Sequence, residues 1–230
     1  LGIDRKSIVS YQRQAELLKK NIEKYFGADV MGFKTYRYYD GNDILRSWIC
    51  IPLTVGIFER KQGTVDALFS PFLWTKDGLA TQSGDKTFWD RSTLYALRGV
   101  FAAGETNKGL LYLNAYSNRR LLGDHVPYPV EAYPEGNQRH LSAESALYCR
   151  IFTEGLFGIR PLGFSAFQIT PQLPDEWEYM RFKNVHGFNK VLDVEVTRQE
   201  GKIRLKVSDK SKTFVNTLMD NGSSLIVELN

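Results

Sequence analysis

The stretch HVPYPVEAYPEGNQRHLSAESALY, residues 125–148, gathers the side chains best suited to chemistry in this chain. Two carboxylates, Glu131 and Glu135, stand among the rings of His125, Tyr128, Tyr133 and His140, just ahead of a helix start at Ser142. Flat rings with polar edges stack on sugar faces and bond sugar hydroxyls, and a positioned carboxylate can move a proton. The pattern therefore points to a saccharide site. On spacing alone there is a simpler account, a solvated loop acid flanked by tyrosines that pack on helices. Glu135 also competes with Glu131 for any catalytic role.

Other candidates are local. In FWDRST, Asp90 and Arg91 are expected to form a local ion pair at a helix start, where an acid is favoured by the dipole. His140, beside Arg139, reads equally as a helix-cap residue and as a substrate contact; His125 and Asp124 carry less. Asp40 and Asp43 sit in a turn whose composition accounts for them. Glu154 reads as structural, and Trp74 and Trp177 as packing residues. Three scattered histidines and two cysteines lack ligand spacing, so no metal is expected. No phosphate-binding glycine loop and no G-x-S-x-G elbow occurs, so no cofactor is expected either.

Composition narrows the classes. In 230 residues, 43% apolar and 24% charged are ordinary globular values, whereas 13% aromatic is high and suits either sugar stacking or a large core. A net charge of +4 without an Arg/Lys cluster argues against nucleic acid. No run of about 18 apolar residues exists, so no membrane span is expected. Cys50 and Cys149 lie in apolar stretches and read as buried free thiols. The opening LGID, without Met and almost directly on a helix, reads as part of a longer polypeptide. The compartment is left unassigned; a periplasmic or secreted location would follow if the parent carries a signal peptide.

The elements that must hold these residues follow from periodicity. Ser7 is expected to cap a helix to Phe26, with Ile8, Tyr11, Ala15, Leu18, Ile22 and Phe26 at helical spacing and Gly27 closing it. GFKTYRYYDGNDILRSW reads as two strands joined at DGND. ICIPLTVGIFERKQ and TVDALFSPFL read as helices, and TKDGLATQSGDKT as loop. FWDRSTLYALRGVFAAG and ETNKGLLYLNAYSNRRLL read as a helical hairpin, with Trp89, Leu94, Leu97, Val100 and Phe101 on one face. Ser142 should cap the next helix, which ends at Gly158. From Pro161 the period falls from 3.6 to 2, and six short strands follow. Helices before residue 160 and strands after it predict two units, 1–160 and 161–230.

FWDRSTLYAL, VEAYPEG and EGLFGIRPLGFSAFQITPQLPDEW, in that order, resemble the C-terminal half of a six-hairpin glycosidase, a superfamily that includes trehalases, processing α-glucosidases and rhamnosidases. The resemblance covers almost the whole chain. It implies a mainly α fold, a partial (α/α)6 toroid of helical hairpins followed by a small antiparallel β domain, and inverting hydrolysis of a glycan or oligosaccharide. Glu131 matches the family's general base, and Trp89 a tryptophan that walls its sugar pocket; Arg91, Tyr128, Tyr133 and His140 are the other expected substrate contacts. WDRST stands where the family has WRGPI, and HLSAES where its glucosidase branch has aromatic-Trp-Ser, so Arg91's role and the substrate are expected to differ. Inverting enzymes place two carboxyl groups roughly 6.5–9.5 Å apart. The family's general acid lies in an earlier hairpin, so the preceding part of the polypeptide is the implied partner that supplies it. A carbohydrate-binding protein without hydrolytic power, or a structural fragment, are the alternatives.

Overall fold

The computed structural model of the chain describes residues 4–122, 128–133 and 142–230. Helix α1 (Arg5–Phe26) leads into a hairpin of β1 (Gly27–Val30) and β2 (Phe33–Tyr36). The hairpin turns at Met31 and Gly32, both at positive φ, and not at DGND. Two positive-φ residues are what a tight two-residue hairpin requires, and Gly32 takes one of them without strain. The DGND segment forms a separate local turn, where Arg37 pairs with Asp40 and the Tyr38 N–H donates to Asn42 Oδ1 at 3.0 Å.

A 3-10 turn (Ser47–Cys50) runs into α2 (Ile51–Thr54), with Pro52 in its first turn, and α3 (Lys61–Leu68) follows. Next come three two-residue strands, β3 (Trp74–Thr75), β4 (Gly78–Leu79) and β5 (Phe88–Trp89). Helix α4 (Asp90–Ala102) pairs with α5 (Thr106–Tyr116), which continues as a π-helical turn (Ser117–Leu121). β6 (Ala132–Tyr133) precedes α6 (Ser142–Arg150) and a second π-helical turn (Ile151–Leu156). β7 (Arg160–Pro161) and β8 (Ala166–Ile169) open the C-terminal part, followed by β9 (Tyr179–Gly187), β10 (Lys190–Gln199), β11 (Lys202–Ser208), β12 (Thr213–Met219) and β13 (Leu225–Glu228).

The expectation of a mainly α chain is corrected here. Of the described residues 38% are helical and 28% lie in strands, which form several antiparallel sheets. Segments expected to be helical shrink to four residues in α2 and eight in α3, and the expected loop at residues 75–87 contributes β4 and closes the β3–β4 hairpin. The helical reading of FWDRST also fails at its first two residues, which form β5. The β3–β4 pair is a tight local hairpin, whereas β5 is set by its pairing with Ala132–Tyr133, distant in sequence, which periodicity does not register.

Helix α4 is the centre of the helical layer. Leu94, Leu97, Val100 and Phe101 are fully buried against α2, α6 and the Ile151–Leu156 turn. Gly99 lets α2 approach α4 closely, since a methyl group there would lie 2.8 Å from Leu53 Cβ. The alternating segments of the last third form two antiparallel sheets, ordered β12-β11-β10-β9 and β13-β8-β7. Leu192, Val194 and Val196 of β10 and Ile203, Leu205 and Val207 of β11 bury one face of the larger sheet, as strict alternation demands. Phe157 packs on Phe182 at 5.5 Å, and the Thr106 hydroxyl meets Gln172 Oε1 at 3.1 Å, so the sheets are tied to the helical layer. Cys50 is buried, and its burial pushes the thiol up to about 12; Cys149, also expected to be buried, is exposed.

Candidate active site

The first turn of α4 organises the candidate site. Trp89 and Phe88 pair with Ala132 and Tyr133 as the two-stranded β5–β6 ladder, which lays residues 130–133 alongside the start of α4. A buried carboxylate fixes the same segment. Asp90, with no exposed side-chain surface, accepts the Val130 N–H on Oδ2 at 2.5 Å. The Arg120 guanidinium donates to both Asp90 oxygens at 2.5 and 3.0 Å and to the Asp77 carbonyl at 3.1 Å. Arg120 also lies over the Phe88 ring, 4.6 Å from its centroid. Burial pushes the Asp90 carboxyl above its ordinary range, against the pull of Arg120 and the Val130 N–H. The Tyr116 phenol is held well above its usual range, first by burial and then by the charge of Asp90. The expected Asp90–Arg91 pair is thus not formed, because successive helical residues point to different faces.

Arg91 points elsewhere. Its Nε donates to Glu144 Oε1 at 2.6 Å, and its terminal nitrogen lies 3.6 Å from Glu131 Oε1. Glu144 is completely buried, and its Oε2 has no hydrogen-bond partner among the described residues. Glu131, by contrast, leaves 56% of its side chain in solvent. One guanidinium therefore spans a buried and an exposed carboxylate, and the exposed one sits between two anchored backbone positions, Val130 and Ala132. Glu131 is thus the accessible carboxylate of this cluster.

The sequence-derived candidates divide accordingly. Glu131, Arg91 and Trp89 come together at the start of α4. Tyr128 is half-buried two residues before Val130, and the backbone of Tyr133 lies in β6. His140 falls outside the described residues, as do Asp124, His125, Glu135 and Arg139. Glu154 pairs with Arg98 at 2.7 Å and with Arg150. Trp74 packs edge-on against the stacked rings of Phe69 and Tyr112, at 5.5 and 4.6 Å.

Three participants were not singled out from sequence. Glu144 and Arg120 lie 53 and 30 residues from their partners Arg91 and Asp90, and no local pattern announces such pairs. The third is Trp48, edge-on to Trp89 at 5.9 Å and tilted against Tyr95 at 6.1 Å. Trp48 also lines a cavity of about 390 Å³ with Tyr36, Tyr38, Ile51 and Pro52, and Glu131 is not on its wall. Trp48 thus joins the Trp89 side of the site to an aromatic-lined hollow. No group of three or more His, Cys, Asp or Glu side chains suited to a metal ion occurs among the described residues.

Residues 165–216 match the family model for glycosyl hydrolase family 65, C-terminal domain. The matched stretch holds β8 to β11 and the start of β12, so it relates the chain to a glycoside hydrolase family through its strands and does not reach Glu131 or α4. No curated protein matches the chain.

Proposed function

We propose that this chain belongs to an inverting glycoside hydrolase acting on a glycan or oligosaccharide, and that Glu131 is its general base. The observation that carries the reading is the accessible Glu131 carboxylate on an anchored segment, beside Trp89 and Arg91, in a chain whose strands match a glycosyl hydrolase domain. In the proposed reaction Glu131 takes a proton from a water, the water oxygen bonds to the anomeric carbon, and the glycosidic bond breaks as its oxygen is protonated by an acid. Arg91 fixes the direction of the base, while Trp89, Tyr128, Tyr133 and His140 contact the sugar.

The acid is assigned to the preceding part of the polypeptide. Glu144, the other carboxylate on Arg91, is fully buried and cannot reach a leaving-group oxygen. That same burial favours a second reading, a carbohydrate-binding module without hydrolytic power, since the described cluster has one accessible carboxylate. The two readings separate with the full-length protein on a panel of oligosaccharides, following products and their anomeric form by NMR. Hydrolysis with inversion, lost by about 10²-fold or more in Glu131→Gln with the fold retained, is the expected result. Sugar binding with no turnover would select the module, and full activity in Glu131→Gln would remove Glu131 from its role.

A further inference from the structure

A second polar hollow lies two helical turns along α4 from Arg91. Arg98, seven residues on and so about 10 Å along the axis, lines a cavity of about 270 Å³ with Arg150, Glu154, Arg160 and Thr54. Three guanidinium groups and one carboxylate line this cavity. Glu154 occupies two of them, accepting from Arg98 at 2.7 Å and from Arg150 at 2.9 Å. Arg160, exposed on β7, has no acidic partner among the described residues. Arg98 is 8% exposed, and its Nε has no acceptor among the described residues. Burial, with a smaller contribution from Arg150, lowers the Arg98 pKa against the pull of Glu154. A buried cation of that kind gains from a further anion nearby.

The cavity does not end at the arginines. Glu154, Arg160 and Ala102 also border an adjoining hollow of about 140 Å³, whose far wall carries Gln168, Thr170 and Ser224. These three side chains already bond one another, Thr170 and Ser224 at 2.8 Å and Gln168 to each at 3.3 Å, so hydroxyl and amide groups are set in fixed directions. One end of the groove is therefore cationic and the other carries neutral donors and acceptors.

We propose that this groove binds the carboxylate of a small acidic sugar, with the anion at Arg160 and Arg98 and the hydroxyls toward Gln168, Thr170 and Ser224. Planar guanidinium groups match a carboxylate geometrically, and the two small lobes suit one sugar ring better than a polymer. The assignment rests on the arginine cluster and is independent of the role given to Glu131.

Sodium glucuronate titrated into the 230-residue chain at fixed ionic strength, followed by amide NMR and calorimetry, tests it. Saturable binding that shifts amides in residues 98–102, 150–160 and 168–170 is expected, with no binding of glucose at the same concentrations. Arg160→Gln, at an exposed position, should weaken binding about tenfold, the size of one lost charge-assisted hydrogen bond. Arg150→Gln should weaken it less. Three outcomes overturn the proposal: no saturable response to glucuronate, an unchanged Kd in both variants, or inorganic phosphate binding the same amides as tightly as glucuronate.

Discussion

Helices α1 and α4 are both amphipathic in sequence and have opposite fates. Helix α1, at 22 residues, buries none of them: Ile8, Tyr11, Leu17, Leu18 and Tyr25 are between 46% and 67% exposed. It is held mainly at its last turns, where Glu23 accepts from Arg60 at 2.5 Å and from the Tyr36 hydroxyl at 3.1 Å, and Lys19 pairs with Glu59. Helix α4, at 13 residues, buries ten, an aspartate and an arginine among them. The lesson is physical. Periodicity says which face of a helix is apolar, whereas only contacts from distant parts of the chain decide whether that face is covered.

The largest effect should come from breaking the charged pair that α4 buries. Asp90→Ala leaves Arg120 uncompensated in the interior and removes the acceptor of the Val130 N–H, so a loss of about 3–5 kcal/mol in chemical denaturation is expected. Replacing both partners, Asp90→Leu with Arg120→Met, should recover most of that stability. It should not restore the anchoring of residues 128–133, whose amides should still exchange faster than in the parent. If the double variant protects those amides fully, Asp90 is a packing device and not the anchor of the Glu131 segment.

A smaller difference separates one leucine of each helix. Leu97 of α4 is completely buried and Leu18 of α1 is 60% exposed. Leu97→Ala should cost about 2–5 kcal/mol. Leu18→Ala should stay within about 0.5 kcal/mol, as for a surface site. Equal losses would mean that the α1 stripe is covered in solution.

The same contrast explains how much could be read from sequence. The buried face of α4, from Leu94 to Phe101, follows from 3.6-residue spacing, and the β10–β11 hairpin follows from strict alternation around its Glu200–Gly201 turn. The expected helix, capped at Ser7, starts three residues later than α1, because Asp4 and not Ser7 is the cap. At the candidate site, the types and order of residues picked out Glu131, Arg91 and Trp89. The partners that hold them, Glu144, Arg120 and Trp48, were not legible. Each is brought in by a contact spanning 30 or more residues, and an isolated glutamate or tryptophan carries no mark of such a contact. The β5–β6 ladder was hidden for the same reason, since Phe88–Trp89 form a strand only by pairing with Ala132–Tyr133.

The smallest expected effect lies at the start of α1. The Ser7 N–H donates to Asp4 Oδ1 at 2.9 Å, and that bond, ahead of weaker ones, holds the Asp4 pKa below its usual 3.8. A folded pKa below the unfolded one means that the cap's contribution is fully present above about pH 4 and fades as pH falls through the lowered value. Since α1 has little tertiary packing, loss of the cap should fray its first turn without disturbing α4. Amide shifts of Lys6, Ser7 and Ile8 should therefore titrate together below pH 4, while those of Leu94 to Phe101 stay fixed. Asp4→Asn, whose side chain still accepts the bond, should keep the first turn formed and abolish the titration. If the α4 amides moved with those of Ser7, the two helices would unfold as one unit, and their contrast in burial would not be a contrast in stability.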